Sequence, residues 1–386
     1  MPTRIPLATL ANWQDPPHNR WGFQHVRELI PTARIERSAS PRPLPPGDAV
    51  DLAAVRLGGD GPATAEEALH AFTPSGFIVL HRGRVVAERY FQGLTPSRPH
   101  LLMSVSKSIT ATVAGILTGR GELDPEGLVT DAIPRLRGTD WEGATVQHLL
   151  DMRAGTSFDE DYSNLDADVR VYEQVYLWRP RTTPDLPPDG HTYIAGLRNK
   201  GPHGGPFDYR SILTDVLAWV LEEVAGATFA ELVERELWQP MGAEFDADVT
   251  VDGHGHALAD GGICCTLRDL ARFGQLWADG GVVDGRQVLP IEWIRDTLAG
   301  GPDSRQAFLA GGRDERFANG HYRNQVWVVE PSVPIAAGLG INGQVVAVHG
   351  GADIVLAQLS TLPTPLNEDF VATVFRTVDA LAETLR

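Results

Sequence analysis

The stretch LLMSVSKSIT, residues 101–110, decides how the rest of the chain is read. Only two of the 33 basic residues are lysines, Lys107 and Lys200; arginine supplies the others. Arginine keeps its proton inside proteins, whereas a desolvated lysine can release it. A lysine that acts as a base therefore cannot be exchanged for arginine, and Lys107 stands three residues after Ser104. From Ser104 to about Leu117, Val105, Ile109, Val113 and Ile116 recur at the spacing of one helix face. Residues i and i+3 share a face, so Ser104 Oγ and Lys107 Nζ can meet. At the start of a helix the N–H of Ser104 lacks an intrahelical acceptor, and the dipole there is positive. That N–H is a ready oxyanion donor. The same field, with desolvation by Leu101, Leu102 and Met103, is expected to push Lys107 toward its neutral amine. A neutral amine can take the serine proton. The bland alternative is a capping serine beside a snorkelling lysine, because Ser-x-x-Lys alone is a weak pattern.

A second element answers it. FDYRSILTDVLAWV (207–220) sets Tyr209 and Ser211 just before a helix. A tyrosine beside a lysine is expected to have its phenol pKa lowered, and can then relay a proton to a leaving group. Ser-x-x-Lys followed by Tyr-x-Ser is an arrangement of the serine β-lactamase and penicillin-binding clan. The third element should be a strand edge that completes the oxyanion hole. GLGINGQVVAV (338–348), a glycine-rich turn entering a strand, offers the Ile341 N–H. His349-Gly350-Gly351, at the end of the same strand, ranks below it.

Outward from these motifs, GFIVLHRGRVVAERYF (76–91) reads as a β-hairpin turning at His81–Gly83. The Pro- and Arg-rich opening to about residue 60 is expected to wrap the surface. VQHLLDMRAGTSF (146–158) reads as a short helix entering a loop. Residues 155–208 are low in periodicity, which suits a lid or binding wall. Helices are predicted over 211–226, 227–242, 265–281 and 368–386, and strands over 324–330, 343–350 and 353–360. Strands at both ends and helices between them imply a discontinuous α/β domain, 1–103 and 262–386. A mostly helical domain, 104–261, is inserted in it.

The remaining signals narrow the function. A net charge of −17 and a pI near 5.1 argue against nucleic acid and anionic membrane surfaces as partners. No apolar stretch reaches the length of a membrane span, and the opening residues lack the form of a signal peptide. The adjacent Cys264 and Cys265 read as small buried residues in a reducing compartment, so a cytoplasmic location is expected. His254-x-His256 lacks accompanying ligands and is not read as a metal pair. The acidic run Asp159–Asp161 reads as a solvated loop face.

HLLMSVSKS, LLDMRAG, Tyr209-x-Ser, ADGGICCTLRDLARFGQLWADGG and GLGINGQ together resemble the class C β-lactamase-type serine hydrolases. Within these they are most similar to the branch of the 6-aminohexanoate-dimer (nylon-oligomer) hydrolases and their carboxylesterase relatives. The likeness extends to the opening WQDPPHNRWGFQHVRELIPTARIER. It implies a β-lactamase/penicillin-binding-protein fold, an antiparallel sheet flanked by helices with a helical insertion. It also implies roles: Ser104 as nucleophile, Lys107 as its base, Tyr209 as proton shuttle, and the N–H groups of Ser104 and Ile341 as oxyanion hole. Tyr162 resembles a loop tyrosine that contacts the scissile amide nitrogen, and Trp178 an aromatic wall. Glu173 stands near a carboxylate that receives the substrate ammonium. Asp260 stands where those enzymes carry an amide or imidazole. Ile341-Asn342-Gly343 replaces the clan's Lys-Thr-Gly, which removes the cation that would hold a β-lactam or peptidoglycan carboxylate. The expected activity is an acyl-enzyme hydrolysis of small carboxylic esters, and of linear amides such as 6-aminohexanoate oligomers, without cofactor. A homodimer is compatible with it. The rivals are a β-lactamase or D-amino acid peptidase, and a binding homologue without catalysis.

Overall fold

The computed structural model describes residues 7–312, 317, 319–330 and 335–386. The strands used below, in chain order, are β1 (Thr32–Ile35), β2 (Gly76–His81), β3 (Arg84–Tyr90), β4 (His100–Leu101), β5 (Ala247–Thr250) and β6 (Ile263–Cys265). Then come β7 (His321–Arg323), β8 (Val326–Val328), β9 (Ile335–Gly340), β10 (Gln344–His349) and β11 (Ile354–Leu359). The helices used below are α1 (Val105–Gly119), α2 (Asp168–Val175), α3 (Ile212–Ala225), α4 (Leu267–Ala278) and α5 (Glu368–Thr384).

The hairpin forms where the residues predict it. Arg82 and Gly83 both take φ near the left-handed region, +50° and +73°, as a tight turn between right-twisted strands requires. β2 then pairs with β11, giving an antiparallel seven-stranded sheet in the order β3-β2-β11-β10-β9-β8-β7. All seven strands come from residues 76–90 and 321–359. The inner strands IVLAQL and QVVAVH are buried along their whole length and mostly apolar, because both faces are covered. On one face lies α4, whose Gly274 lets the helix sit down on Val346 and Val355; a Cβ there would be 2.5 Å from Val355 Cγ1. On the other face α5 brings Phe370 and Thr373 toward Phe77 and Leu356.

A second, four-stranded sheet, β1-β5-β6-β4, was not foreseen. It corrects the expectation for the opening residues. Trp13, Phe23, Val26, Ile30 and Ile35 are buried, and β1 pairs with β5. Two further expectations shift. Asn324 and Gln325 form the β7–β8 turn, with φ of +50° and +55°, rather than the start of a strand. The helix expected over 227–242 is α-helical at Phe229–Leu232 and continues as a π-helix, Val233–Trp238. Cys264 and Cys265 are buried and unpaired. No helix among the described residues is long and apolar enough to cross a membrane.

Candidate active site

The small sheet delivers the site. β4 runs straight into α1, and the Leu102 N–H donates to Ile263 O at 2.9 Å, fixing the entry. Met103 then takes φ = +48°, a left-handed conformation that costs a non-glycine residue about 1 kcal/mol. This kink presents Ser104 at the first turn of α1. The helix itself is buried from Val105 to Leu117. One turn on, Lys107 Nζ donates to Ser104 Oγ at 2.8 Å and to Asp260 O at 2.9 Å. Lys107 is 1% exposed, and its ammonium lies 5.2 Å over the Tyr209 ring. Tyr209 lines the same cavity as Ser104, close enough for Ser104 and Lys107 both to act on its phenol. Its segment is pinned from both sides, by Asp208 N–H to Met152 O and by Arg210 to Ala154 O. Trp327 stacks on the Tyr209 ring at 5.7 Å.

Facing this trio is the end of β9. Gly340 lies against Leu102 O, and the following turn is tied down by Gln344, whose Nε2 donates to Ile341 O, Asn342 O and Ser360 O. Ser104, Gly340 and Ile341 share the lining of one cavity of about 270 Å³ with Tyr162, Tyr209 and Glu160. Trp327, Leu339, Leu362, Phe370 and Val371 make most of the rest apolar. No described residue lining it is a lysine or arginine. His349 is not among them; its Nδ1 accepts from Ala352 N–H at the far end of β10.

The electrostatics correct two expectations. Burial presses the Lys107 ammonium down, but the acidic groups of Tyr209, Asp260, Glu160 and Asp215 outweigh it. The pKa ends above the ordinary lysine value, so the resting group is an ammonium rather than an amine. Burial also raises the Tyr209 phenol, Glu160 adds to this, and the Lys107 charge only partly opposes them. The resting pair is thus Lys107 ammonium and Tyr209 phenol. Burial and neighbouring carboxylates push Asp260 up to about 6. Its Oδ2 lies 4.0 Å from Lys107 Nζ, and its N–H donates to buried Asp215.

The structure brings together Ser104, Lys107, Tyr209, Ile341, Tyr162 and Asp260, and leaves two candidates out. Glu173 does not face the cavity. Both its oxygens accept from Arg170 at 2.9 Å, and Arg179 closes on Oε2, so its charge is already neutralised. Its place is to hold Arg170, which in turn donates to the Tyr162 carbonyl. Trp178 is core rather than wall: 3% exposed, edge-on to Trp13, with its indole N–H on Thr250. His256 pairs with Asp252 at 3.1 Å and stacks on His191.

Two residues passed over in the sequence stand here. Glu160 is not on a solvated face; it accepts from Tyr162 OH and from Ser211. Asp215 lies buried beneath Asp260, an acid on the apolar face of α3, and that misfit was the one signal available for it.

An antiparallel sheet edged by a buried helix that opens on Ser-x-x-Lys is the build of the β-lactamase-fold hydrolases. The chain belongs to the β-lactamase family, whose model matches residues 65–378. It is 38% identical over 369 residues to a 6-aminohexanoate-dimer hydrolase from Paenarthrobacter ureafaciens, covering 94% of this chain and 92% of that protein. A solved structure from Bacillus anthracis, described as a candidate 6-aminohexanoate-dimer hydrolase, superposes with a TM-score of 0.88. It is 26% identical, over 98% of this chain and 97% of its own. A family VIII carboxylesterase shares the fold at a TM-score of 0.61 and 12% identity, over 87% of this chain and 99% of its own.

Proposed function

We propose that this protein is a serine hydrolase. It cleaves small carboxylic esters, and linear amides such as 6-aminohexanoate oligomers, through an acyl-enzyme on Ser104. The observation that carries the proposal is Lys107 Nζ at 2.8 Å from Ser104 Oγ, beside the Tyr209 hydroxyl, at one end of an apolar cavity. In the first step Ser104 Oγ bonds to the substrate carbonyl carbon. Its proton passes to the pair in the minority form in which Lys107 is a free amine, and the N–H groups of Ser104 and Ile341 receive the developing oxyanion. The pair then gives the proton to the leaving amine or alcohol. A water repeats the sequence on the acyl ester and frees Ser104. An extended acyl chain suits the apolar wall. Ile341-Asn342-Gly343 in place of Lys-Thr-Gly favours this reading over a β-lactamase or D-amino acid peptidase, which hold a substrate carboxylate against a cationic residue at that strand.

The test is steady-state hydrolysis of p-nitrophenyl acetate and the linear 6-aminohexanoate dimer by wild type and Ser104→Ala. Both substrates are expected to be cleaved, with Ser104→Ala losing at least about 10⁴-fold in kcat. If a fluorophosphonate fails to label Ser104 and neither substrate turns over, the non-catalytic binding homologue is the better account.

The charge around Lys107 gives a second expectation. The amine that must accept the serine proton is scarce at rest because nearby acids favour the ammonium. Asp260→Asn removes one of those charges, so the amine forms at lower pH. The acid limb of the kcat/KM–pH profile should move to lower pH than in wild type. An unmoved limb with lost activity would instead assign Asp260 itself to proton transfer.

A further inference from the structure

Asp215 is an acid where the face of α3 is otherwise apolar. It lies in the first turn of that helix and is 3% exposed. Its Oδ1 accepts from the Asp260 N–H at 3.0 Å. Its Oδ2 is buried with no donor on it among the described residues. The bond to Asp260 is thus the one polar contact it makes there. Asp260 is held at its other end too, since its carbonyl accepts from Lys107 Nζ at 2.9 Å. The preceding carbonyl, Ala259 O, accepts from Thr110 Oγ1 at 3.2 Å, one turn beyond Lys107. Residues 259 and 260 are therefore stitched to α1 by Lys107 and Thr110, and to α3 by Asp215. Because α3 follows directly on Tyr209, one helix positions the tyrosine and, through Asp260, the lysine.

The direction of these bonds matters for the chemistry. Once Lys107 has released its proton, the amine holds two N–H groups and one lone pair. A carbonyl can only accept. An N–H must therefore stay on Asp260 O, and the lone pair is kept off that direction and left for Ser104 Oγ, 2.8 Å away. An amine released from the Asp260 carbonyl could turn an N–H toward Ser104 instead. In that orientation it cannot take the serine proton.

We propose that Asp215 is a positioning residue for the nucleophile: by fixing Asp260 it keeps the Asp260 carbonyl on Lys107, and so aims the lone pair of the lysine amine at Ser104. This rests on the reading of Ser104 as the nucleophile and Lys107 as its base.

Asp215→Leu, similar in size but without an acceptor, tests it. The measurements are kcat and KM for p-nitrophenyl acetate, with active sites counted by fluorophosphonate labelling of Ser104 carried to completion. Counting sites separates the folded share of the protein from the rate that each site achieves. Acylation and deacylation both use the Lys107–Tyr209 pair, so kcat falls whichever step limits. In Asp215→Leu, kcat per labelled site is expected to drop about 10²-fold, the cost of a misplaced catalytic group, with KM little changed. Asp215→Asn keeps an acceptor at the Oδ1 place, and its NH₂ displaces no donor from the Oδ2 place, so it should recover most of that loss. Asp215→Ser, whose hydroxyl stops one bond short of the Asp260 N–H, is made alongside and should behave as Asp215→Leu does, in case the latter yields no labelled protein. Added to Lys107→Met, Asp215→Leu should lower the residual rate no further, because its effect runs through the lysine.

Fewer labelled sites with an unchanged kcat per site would make Asp215 structural only and overturn the proposal. So would an Asp215→Asn as impaired as Asp215→Leu, or a further drop in the double variant. An active wild type with normal kcat per site in Asp215→Leu removes this inference and leaves the serine hydrolase standing. A wild type that neither labels nor turns over removes the two together.

Discussion

Lys107→Arg is expected to reduce kcat/KM on ester and amide alike by about four orders of magnitude or more, the loss typical of removing a member of a concerted nucleophile–base unit. The substitution keeps a positive charge next to Tyr209 and Ser104, so it separates two roles that an alanine would confuse. If Lys107 only supplied a field, arginine would preserve much of the activity. If it must take and return a proton, arginine cannot substitute. The site also lacks slack: Lys107 is 1% exposed and its nitrogen is committed to Ser104 and to Asp260. Because a guanidinium is bulkier than the buried ammonium it replaces, Lys107→Met is the companion variant, close in shape and without charge. Both should be inactive, and circular dichroism with a thermal melt on Lys107→Met should report an intact fold. Activity within tenfold of wild type for Lys107→Arg would end the assignment of Lys107 as the base.

Gly340→Ala should lower kcat by about 10²- to 10³-fold, the range seen when one oxyanion donor is lost, with a smaller effect on KM. The cause is contact rather than flexibility. A Cβ at Gly340 would lie 2.6 Å from Leu102 O and 3.1 Å from Met103 Cβ. Those atoms belong to the kinked segment that presents Ser104, so neither side can yield without moving the nucleophile or the strand edge. Either movement separates the Ser104 and Ile341 N–H groups. Gly350→Ala, at the opposite end of β10 where a Cβ meets nothing within 4 Å, is the control and should match wild type. Equal kcat values for Gly340→Ala and wild type would place the oxyanion hole elsewhere.

What could be read along the chain was what repeats locally. Val105, Ile109, Val113 and Ile116 announce α1 by their spacing, and the β2–β3 hairpin carries its turn between two β-branched runs. Ser104 and Lys107 are legible for the same reason: one turn of helix joins them. The second sheet was not, because β4 and β6 are two and three residues long, too short for any period to show. Glu173 and Trp178 lie close to the site in the chain but turn inward, Glu173 to two arginines and Trp178 to Thr250, and orientation of that kind leaves no trace in one sequence. The protonation of Lys107 was misjudged for a related reason. Burial could be inferred from its apolar neighbours, whereas Glu160, Asp215 and Asp260 approach it from three distant segments.

The cavity joins two parts of the chain that do different work. Its reacting end is set by α1, Tyr209 and the β9 edge, whereas much of its wall is Leu362, Pro365, Leu366, Asn367, Phe370 and Val371, the approach to α5 and its first turn. The two meet through a pair of backbone bonds, Asn342 N–H to Pro365 O and Leu362 N–H to Asn342 O. In the proposed reaction, the size and shape of the acyl chain would fall to a short stretch near the C-terminus, more than 250 positions from Ser104. Such a stretch can diversify one residue at a time while the bond-breaking groups stay untouched. A scaffold divided in this way can acquire new substrates without rebuilding its reaction.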